Sequence, residues 1–302
     1  MPPATSIFVG GGTPSLVEPE RLAAVLEVVP RAPGCEVTVE CNPDTVTPGL
    51  METYSRAGVN RVSLGVQSMV DHVLRSLGRT HDPANVRRAV EAVRQAGIPT
   101  FNVDVIYGAA GESPEDWRRT LAATLELGPP HVSAYALTVE PGTALASDAS
   151  RHPDDDDQAV KYLAAAGELE AAGLSWYEIS NWARPGHECA HNRLYWSMGE
   201  YQAFGCAGHS HRNGRRFWNV HTPERYVAAI GSGRSPEAAG ERLEPPARRL
   251  EALQLAVRTR AGVPADVLPV EELDDLVALH GDRAVLTVRG RLLANEVALR
   301  LR

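Results

Sequence analysis

Four cysteines in 302 residues, Cys35, Cys41, Cys189 and Cys206, are too widely spaced for a zinc knuckle or a disulfide framework. That scarcity fits a reducing cytoplasm. No apolar run is long enough to cross a bilayer. A Lys/Arg-rich tract is also missing, and the net charge of -8 excludes general nucleic-acid binding. Met1-Pro2-Pro3-Ala4 has no basic segment leading into an apolar one, so no signal peptide is expected. What remains is 43% hydrophobic, enough for a substantial core. The length suits one large domain or two of roughly 150 residues.

The chain is organised around Ile7-Phe8-Val9-Gly10-Gly11-Gly12-Thr13-Pro14-Ser15. A short apolar run, three glycines and an amphipathic segment from Pro19 read as strand, tight turn and helix. Without Cβ atoms the backbone can turn through positive φ and approach a ligand closely. Such a loop suits a polar or anionic small molecule held by backbone N–H groups, and it also suits an ordinary βα turn.

Helix and strand signals then alternate. Leu22, Val25, Leu26 and Val29 share a helical face. Val37 and Val39 alternate with Thr38 and Glu40 in a strand. Arg61–Val66 is a second alternating strand, with Ser63, Gly65 and then Gln67 opposite the apolar set. Thr100–Ile106 is a third, with Asn102 and Asp104 opposite Phe101, Val103 and Val105. Thr47-Pro48, Asp82-Pro83 and Ser113-Pro114 read as helix caps with proline at the first position. His131–Leu137 is a further strand, and a helix from about Gln158 precedes a segment around Trp176–Ile179. This is the rhythm of parallel βαβ construction. Glu40, Gln67 and Asp104 fall at the C-terminal parts of three strands, opposite in parity to the apolar faces. In a β/α barrel that set points inward at the functional rim.

The acidic run Asp154–Asp157 reads as a helix N-terminus, and it lacks the alternation of a calcium loop. From Trp182 to about His221 the βα rhythm stops and aromatics and histidines crowd together. His187, Cys189, His191, His209 and His211 match no common zinc spacing. They could line a flat apolar ligand such as a porphyrin, with a histidine on its iron, or simply hydrogen-bond within a packed β-rich lid. Three parts are expected: a barrel over 1–181, a His/aromatic-rich segment over 182–225, and a C-terminal unit over 226–302. In the last, an amphipathic helix at Arg248–Arg258 and a hairpin near Ala284–Leu286 suggest a winged-helix-like appendix.

Five motifs occur in order: the glycine loop, Glu40-Cys41-Asn42-Pro43, Gly65-Val66-Gln67-Ser68, Leu77-Gly78-Arg79-Thr80-His81, and Asn102-Val103-Asp104-Val105-Ile106-Tyr107-Gly108. Together they resemble the radical S-adenosylmethionine enzymes of the oxygen-independent coproporphyrinogen III oxidase family. Tyr177–Gly186 and His191-Asn192-Arg193-Leu194-Tyr195-Trp196 are similar to its HemW branch, the haem chaperones. The resemblance implies an α/β fold: a partial (β/α)6 TIM-type barrel with a small C-terminal α+β domain. It implies S-adenosylmethionine at the barrel rim. Gly11, Gly12 and Thr13 would meet its amino-acid end or ribose, and Glu40, Gln67, Arg79 and Asp104 would supply polar contacts. It makes His191 a haem-ligand candidate and implies haem and haem-accepting apoproteins as partners. A homodimer and peripheral contact with membrane proteins stay open.

The sequence also departs from the family, whose Cys-x3-Cys-x2-Cys holds a [4Fe–4S] cluster. That spacing is absent, and Cys35 and Cys41 follow the glycine loop rather than preceding it. The expectation is a barrel lacking its first strand and its cluster segment, unable to cleave S-adenosylmethionine reductively. The function expected is a HemW-like haem chaperone in truncated form. A coproporphyrinogen III oxidase, or an inactive fragment of either, is the alternative.

Overall fold

The structure, a computed structural model, describes residues 2–79, 81–143, 145–273 and 275–301. The chain separates into two compact units, Met1–His191 and Asn192–Arg302.

The first unit opens with β1 (Ala4–Val9), α1 (Pro19–Glu27), β2 (Arg31–Cys41), α2 (Pro48–Arg56) and β3 (Arg61–Gln67). It continues through α3 (Asp71–Ser76), α4 (Pro83–Gln95), β4 (Thr100–Tyr107), α5 (Pro114–Glu126) and β5 (His131–Ala136). After these come α6 (Asp155–Ala171), β6 (Ser175–Glu178), β7 (Asn181–Ala183) and the start of α7 (Ala190–Trp196). The sheet runs β1-β2-β3-β4-β5-β7-β6. Its first five strands are parallel neighbours in chain order. Each is joined to the next by at least one helix, which makes a partial β/α barrel. The single segment expected around Trp176–Ile179 is instead β6, followed by β7 antiparallel to both β6 and β5.

Period-2 alternation decides which face of the sheet meets the helices. Val37, Val39, Val62, Leu64, Val66, Val103, Val105, Val132 and Ala134 are all buried. The opposite parity is polar and registers in layers. Thr38 pairs with Arg61 and Arg61 with Thr100, then Glu40 with Ser63, Ser63 with Asn102, and Asn102 with His131. Nearer the C-terminal ends, Gly65 pairs with Asp104 and Asp104 with Ser133.

The helix starts follow the caps read from the sequence. Thr47 Oγ1 accepts the Leu50 N–H, Asp82 accepts from Ala84, and Ser113 forms a capping box with Asp116. Asp154 caps α6 by accepting the Asp157 N–H, so the acidic run serves a helix N-terminus. One expectation needs correction. Leu22 and Leu26 are buried under α1, but Val25 is exposed. β1 pairs only with β2, so α1 sits at an edge of the sheet with too little surface beneath it to cover its whole apolar stripe.

The second unit contains β8 (His209–Arg212), β9 (Arg215–Asn219), α8 (Pro223–Gly231), β10 (Glu237–Arg242) and α9 (Pro245–Ala256). β11 (Val263–Pro264), β12 (Val277–His280), β13 (Arg283–Leu286), α10 (Val288–Leu292) and α11 (Ala294–Ala298) complete it. Two three-stranded sheets form, β10-β9-β8 and β11-β13-β12. The hairpin expected near Ala284–Leu286 is β12–β13. No helix among the described residues is long and apolar enough to cross a membrane.

Candidate functional site

The glycine loop leaves β1 at its C-terminal end and folds against β2. Gly11 has φ +94°, and its N–H donates to Glu40 Oε2 at 3.2 Å. A Cβ on Gly10 would lie 2.8 Å from that same oxygen, so the bare backbone is what lets the carboxylate seat against the turn. Behind the loop, Pro14–Leu16 forms one 3₁₀ turn with Thr13 at its cap. Ser15 Oγ accepts the Asn42 N–H at 3.1 Å and bonds Thr45 Oγ1 at 2.5 Å. The Glu40–Pro43 motif therefore holds the loop from beneath while presenting Glu40.

On β3, Gln67 has φ +64°, and the β3–β4 register slips between Gly65 and Gln67. A Cβ on Gly65 would fall 3.0 Å from Gln67 Nε2, so this glycine makes room for the glutamine to fold back along the strand end. On β4, Asp104 accepts from Ser63 Oγ at 2.7 Å and from Asn102 Nδ2 at 2.7 Å. Burial raises its carboxyl above the usual range, while the donors Ser63, Ser133 and Asn102 and the Arg61 charge oppose that rise. Burial also raises Glu40. The nearby Asp104 adds to the rise and the Gly11 N–H lowers it.

Glu40, Asp104, Gln67 and the glycine loop therefore converge at strand C-terminal ends on the polar face of the sheet. Arg79 follows α3, exposed, with its backbone N–H on Leu74 O at 2.8 Å. Thr80 of the same motif lies outside the described residues. Other motif residues hold strand ends together. The His81 Nε2–H donates to Val66 O at 2.7 Å. Ser68 Oγ bonds Thr120 Oγ1 at 3.1 Å.

Behind Asp104 runs a buried chain of hydrogen bonds that sequence reasoning missed. Asn102 Nδ2 gives its two hydrogens to Asp104 and Ser63, and its Oδ1 accepts the Ser133 hydroxyl at 3.2 Å and the Nδ1–H of His131. His131 is held neutral, its pKa well below the ordinary value, first by burial and then by the Arg61 and His187 charges. Its Nε2 therefore accepts the Tyr177 O–H at 2.8 Å. Replacing Tyr177 by Phe leaves that buried nitrogen unpaired and is expected to cost about 1–3 kcal/mol. Urea unfolding of the variant checks this, and an unchanged midpoint would contradict the chain of bonds. Asn102 lay in a quoted motif, but nothing in the sequence ties His131 to a tyrosine on β6.

The polar row has a second end, at the strand starts. His191 stacks on Phe8 with ring centroids 5.1 Å apart, and its Nδ1 bonds Ser6 Oγ at 3.0 Å. Glu36 accepts the backbone N–H groups of Ala190 and His191, capping α7, and the thiol of Cys189 at 3.4 Å. Arg61 donates to His187 O at 2.9 Å, and His187 Nδ1 meets Thr100 Oγ1 at 2.9 Å. The structure thus separates the haem-ligand candidate from the rim residues. His191 packs on β1 and β2, and burial lowers its pKa.

None of the four cysteines forms a disulfide. Cys35, Cys41 and Cys189 are buried and Cys206 is exposed. Among the described residues no three His, Cys, Asp or Glu side chains are grouped to hold a metal. The Cys-x3-Cys-x2-Cys spacing does not occur in the 302 residues of the sequence.

The radical SAM superfamily model matches residues 1–123. The haem chaperone HemW of Mycobacterium tuberculosis is 42% identical over 312 residues, covering 98% of this chain and 80% of that protein. HemW of Escherichia coli is 35% identical, covering 97% and 82%. The solved coproporphyrinogen III oxidase HemN of Escherichia coli, a radical SAM enzyme, superposes with a TM-score of 0.83 at 18% identity. It covers 98% of this chain and 77% of HemN. That likeness is one of fold. On the sequence identity sustained along its length, the chain belongs to the HemW haem chaperone family of radical SAM proteins.

Proposed function

We propose that the chain is a haem chaperone that binds haem and S-adenosylmethionine and passes haem to apoproteins in the cytoplasm. The observation that carries this reading is the 42% identity to a HemW over 98% of the chain. The HemN likeness, at 18% identity, adds no support for an oxidase.

The rim residues fit S-adenosylmethionine in charge. Glu40 is raised by burial and then by the nearby Asp104, so a cationic group bound at this rim would favour its carboxylate. The cofactor supplies a sulfonium and an ammonium when bound. Gly11, Gly12 and Thr13 would take its amino-acid end or ribose. Glu40, Gln67, Arg79 and Asp104 would give polar contacts, with Glu40 anchored by the Gly11 N–H. His191 is the haem-ligand candidate of this reading. Its Nδ1 is on Ser6, so iron at this residue would meet Nε2.

The test is a hemin titration of the full chain followed by mixing with an apo-haem protein. One-to-one uptake with a Soret shift, then transfer, is expected, with no decarboxylation of coproporphyrinogen III. Absence of saturable uptake would count against the chaperone, and porphyrinogen turnover would favour the oxidase.

A further inference from the structure

We infer that Ser6 is the positioning residue for His191, holding its imidazole in the tautomer and orientation that haem iron takes, a deepening that rests on the haem-binding reading above. Period 2 on β1 puts Ser6 and Phe8 on one face of the strand and Thr5 on the other. Ser6 and Phe8 meet the same ring. Phe8 stacks on the His191 imidazole with planes 20° apart, and Ser6 Oγ lies 3.0 Å from its Nδ1. One strand therefore fixes the plane of the imidazole and its rotation within that plane.

The backbone of the same residue is held from the neighbouring strand. Ser6 is in register with Glu36 on β2, whose carboxylate accepts the Ala190 N–H at 3.0 Å and the His191 N–H at 3.2 Å. Arg61 on β3 donates to His187 O at 2.9 Å, and Thr100 Oγ1 on β4 meets His187 Nδ1 at 2.9 Å. Four successive strands thus anchor residues 187–191. Of these anchors, Ser6 is the one on a nitrogen of the His191 ring. Iron takes a neutral imidazole through a nitrogen lone pair, and with Nδ1 turned onto Ser6 that nitrogen is Nε2. The proton then sits on Nδ1 and the Ser6 oxygen accepts it, the role a carboxylate, carbonyl or water has behind most metal-ligating histidines. A serine hydroxyl has the lone pairs for this. An alanine has none, which would leave the ring its stacking and no preferred tautomer.

The test first reads the His191 tautomer in the full chain without haem, by nitrogen-15 NMR of the imidazole. Nδ1 should carry the proton in the parent and in Ser6→Thr, and lose that bias in Ser6→Ala. Hemin is then titrated into these chains, into His191→Ala, and into Thr5→Ala, which changes an exposed residue on the other face of β1. Each variant is first shown to keep the parent circular dichroism. Ser6→Ala should weaken hemin binding by about 10-fold, the lower end for losing a partner behind a metal ligand. It should also lower the iron–imidazole stretching frequency of the ferrous complex in resonance Raman, while Ser6→Thr and Thr5→Ala keep the parent band. Parent-like affinity and band in Ser6→Ala would overturn the assignment and leave haem binding standing. A parent ring protonated on Nε2, or a Ser6→Thr chain as impaired as Ser6→Ala, would overturn it too. Parent-like hemin binding in His191→Ala would remove both the ligand and its support. A parent chain that takes up no hemin would overturn the haem reading itself, and the positioning role with it.

Discussion

Replacing Lys161 by Met is expected to destabilise the first unit by about 3–5 kcal/mol, because it strands a buried carboxylate. Lys161 is the only lysine of the sequence and is 1% exposed, and the Glu112 side chain is 0% exposed. Lys161 Nζ donates to Glu112 O at 2.8 Å, lies 3.1 Å from Glu112 Oε2, and bonds Asp157 Oδ2 at 2.6 Å. Glu112 Oε2 also accepts the Gly108 N–H at 2.7 Å, while Oε1 has no partner among the described residues. Burial already raises the Glu112 carboxyl, and the Gly108 N–H and the Lys161 charge hold it down. Without the ammonium, Glu112 must take a proton or admit water, and either outcome loosens the loop after β4 where it packs on α6. Urea denaturation measures the loss. The double variant Lys161→Met/Glu112→Gln should recover much of it, since no charge is then stranded. An unchanged midpoint in the single variant would show that the pair contributes nothing net.

The barrel was legible because period 2 is a local property. Val62, Leu64 and Val66 against Ser63, Gly65 and Gln67 can be read off seven residues, and the buried and polar faces fall as that reading requires. Caps such as Ser113 with Asp116 are equally local. The glycine loop and Glu40 were legible as types of residue in position, and their contact through the Gly11 N–H needed the register of β1 on β2. What stayed hidden depends on distant partners. Tyr177 reaches His131 across 46 positions, and Lys161 reaches Glu112 across 49. Neither pair leaves a mark in spacing. Val25 misled because a helical stripe records what could be buried, whereas exposure depends on how much sheet lies beneath. His191 was read within a motif, and only its stacking on Phe8 reveals that it is packed beneath the sheet's polar face.

Glu178 should impose a pH dependence on stability that Glu178→Gln abolishes. It ends β6, 2% exposed, with Oε2 accepting the Ser180 N–H at 3.2 Å and Oε1 bonded by Asn181 Nδ2. Burial pushes its carboxyl from 4.5 up to about 7, against the lowering effect of those two donors. Tyr135 on β5 faces it, itself raised by burial, and brings no positive charge to hold the carboxylate. Between 4.5 and about 7 the folded chain therefore holds a proton that the unfolded chain has released. With more protons bound in the folded state, unfolding free energy falls as pH rises. The contribution is fully present below the unfolded value and is lost once pH passes the folded one. Moving from about pH 5 to about pH 8 should cost the parent roughly 2–3 kcal/mol relative to Glu178→Gln, which has no proton to lose. Denaturant unfolding of both chains at the two pH values supplies the comparison. The difference between them must open toward alkaline pH, because a gap that narrowed would mean Glu178 is held ionised in the fold by a cation that the surrounding Ser180, Asn181 and Tyr135 do not provide.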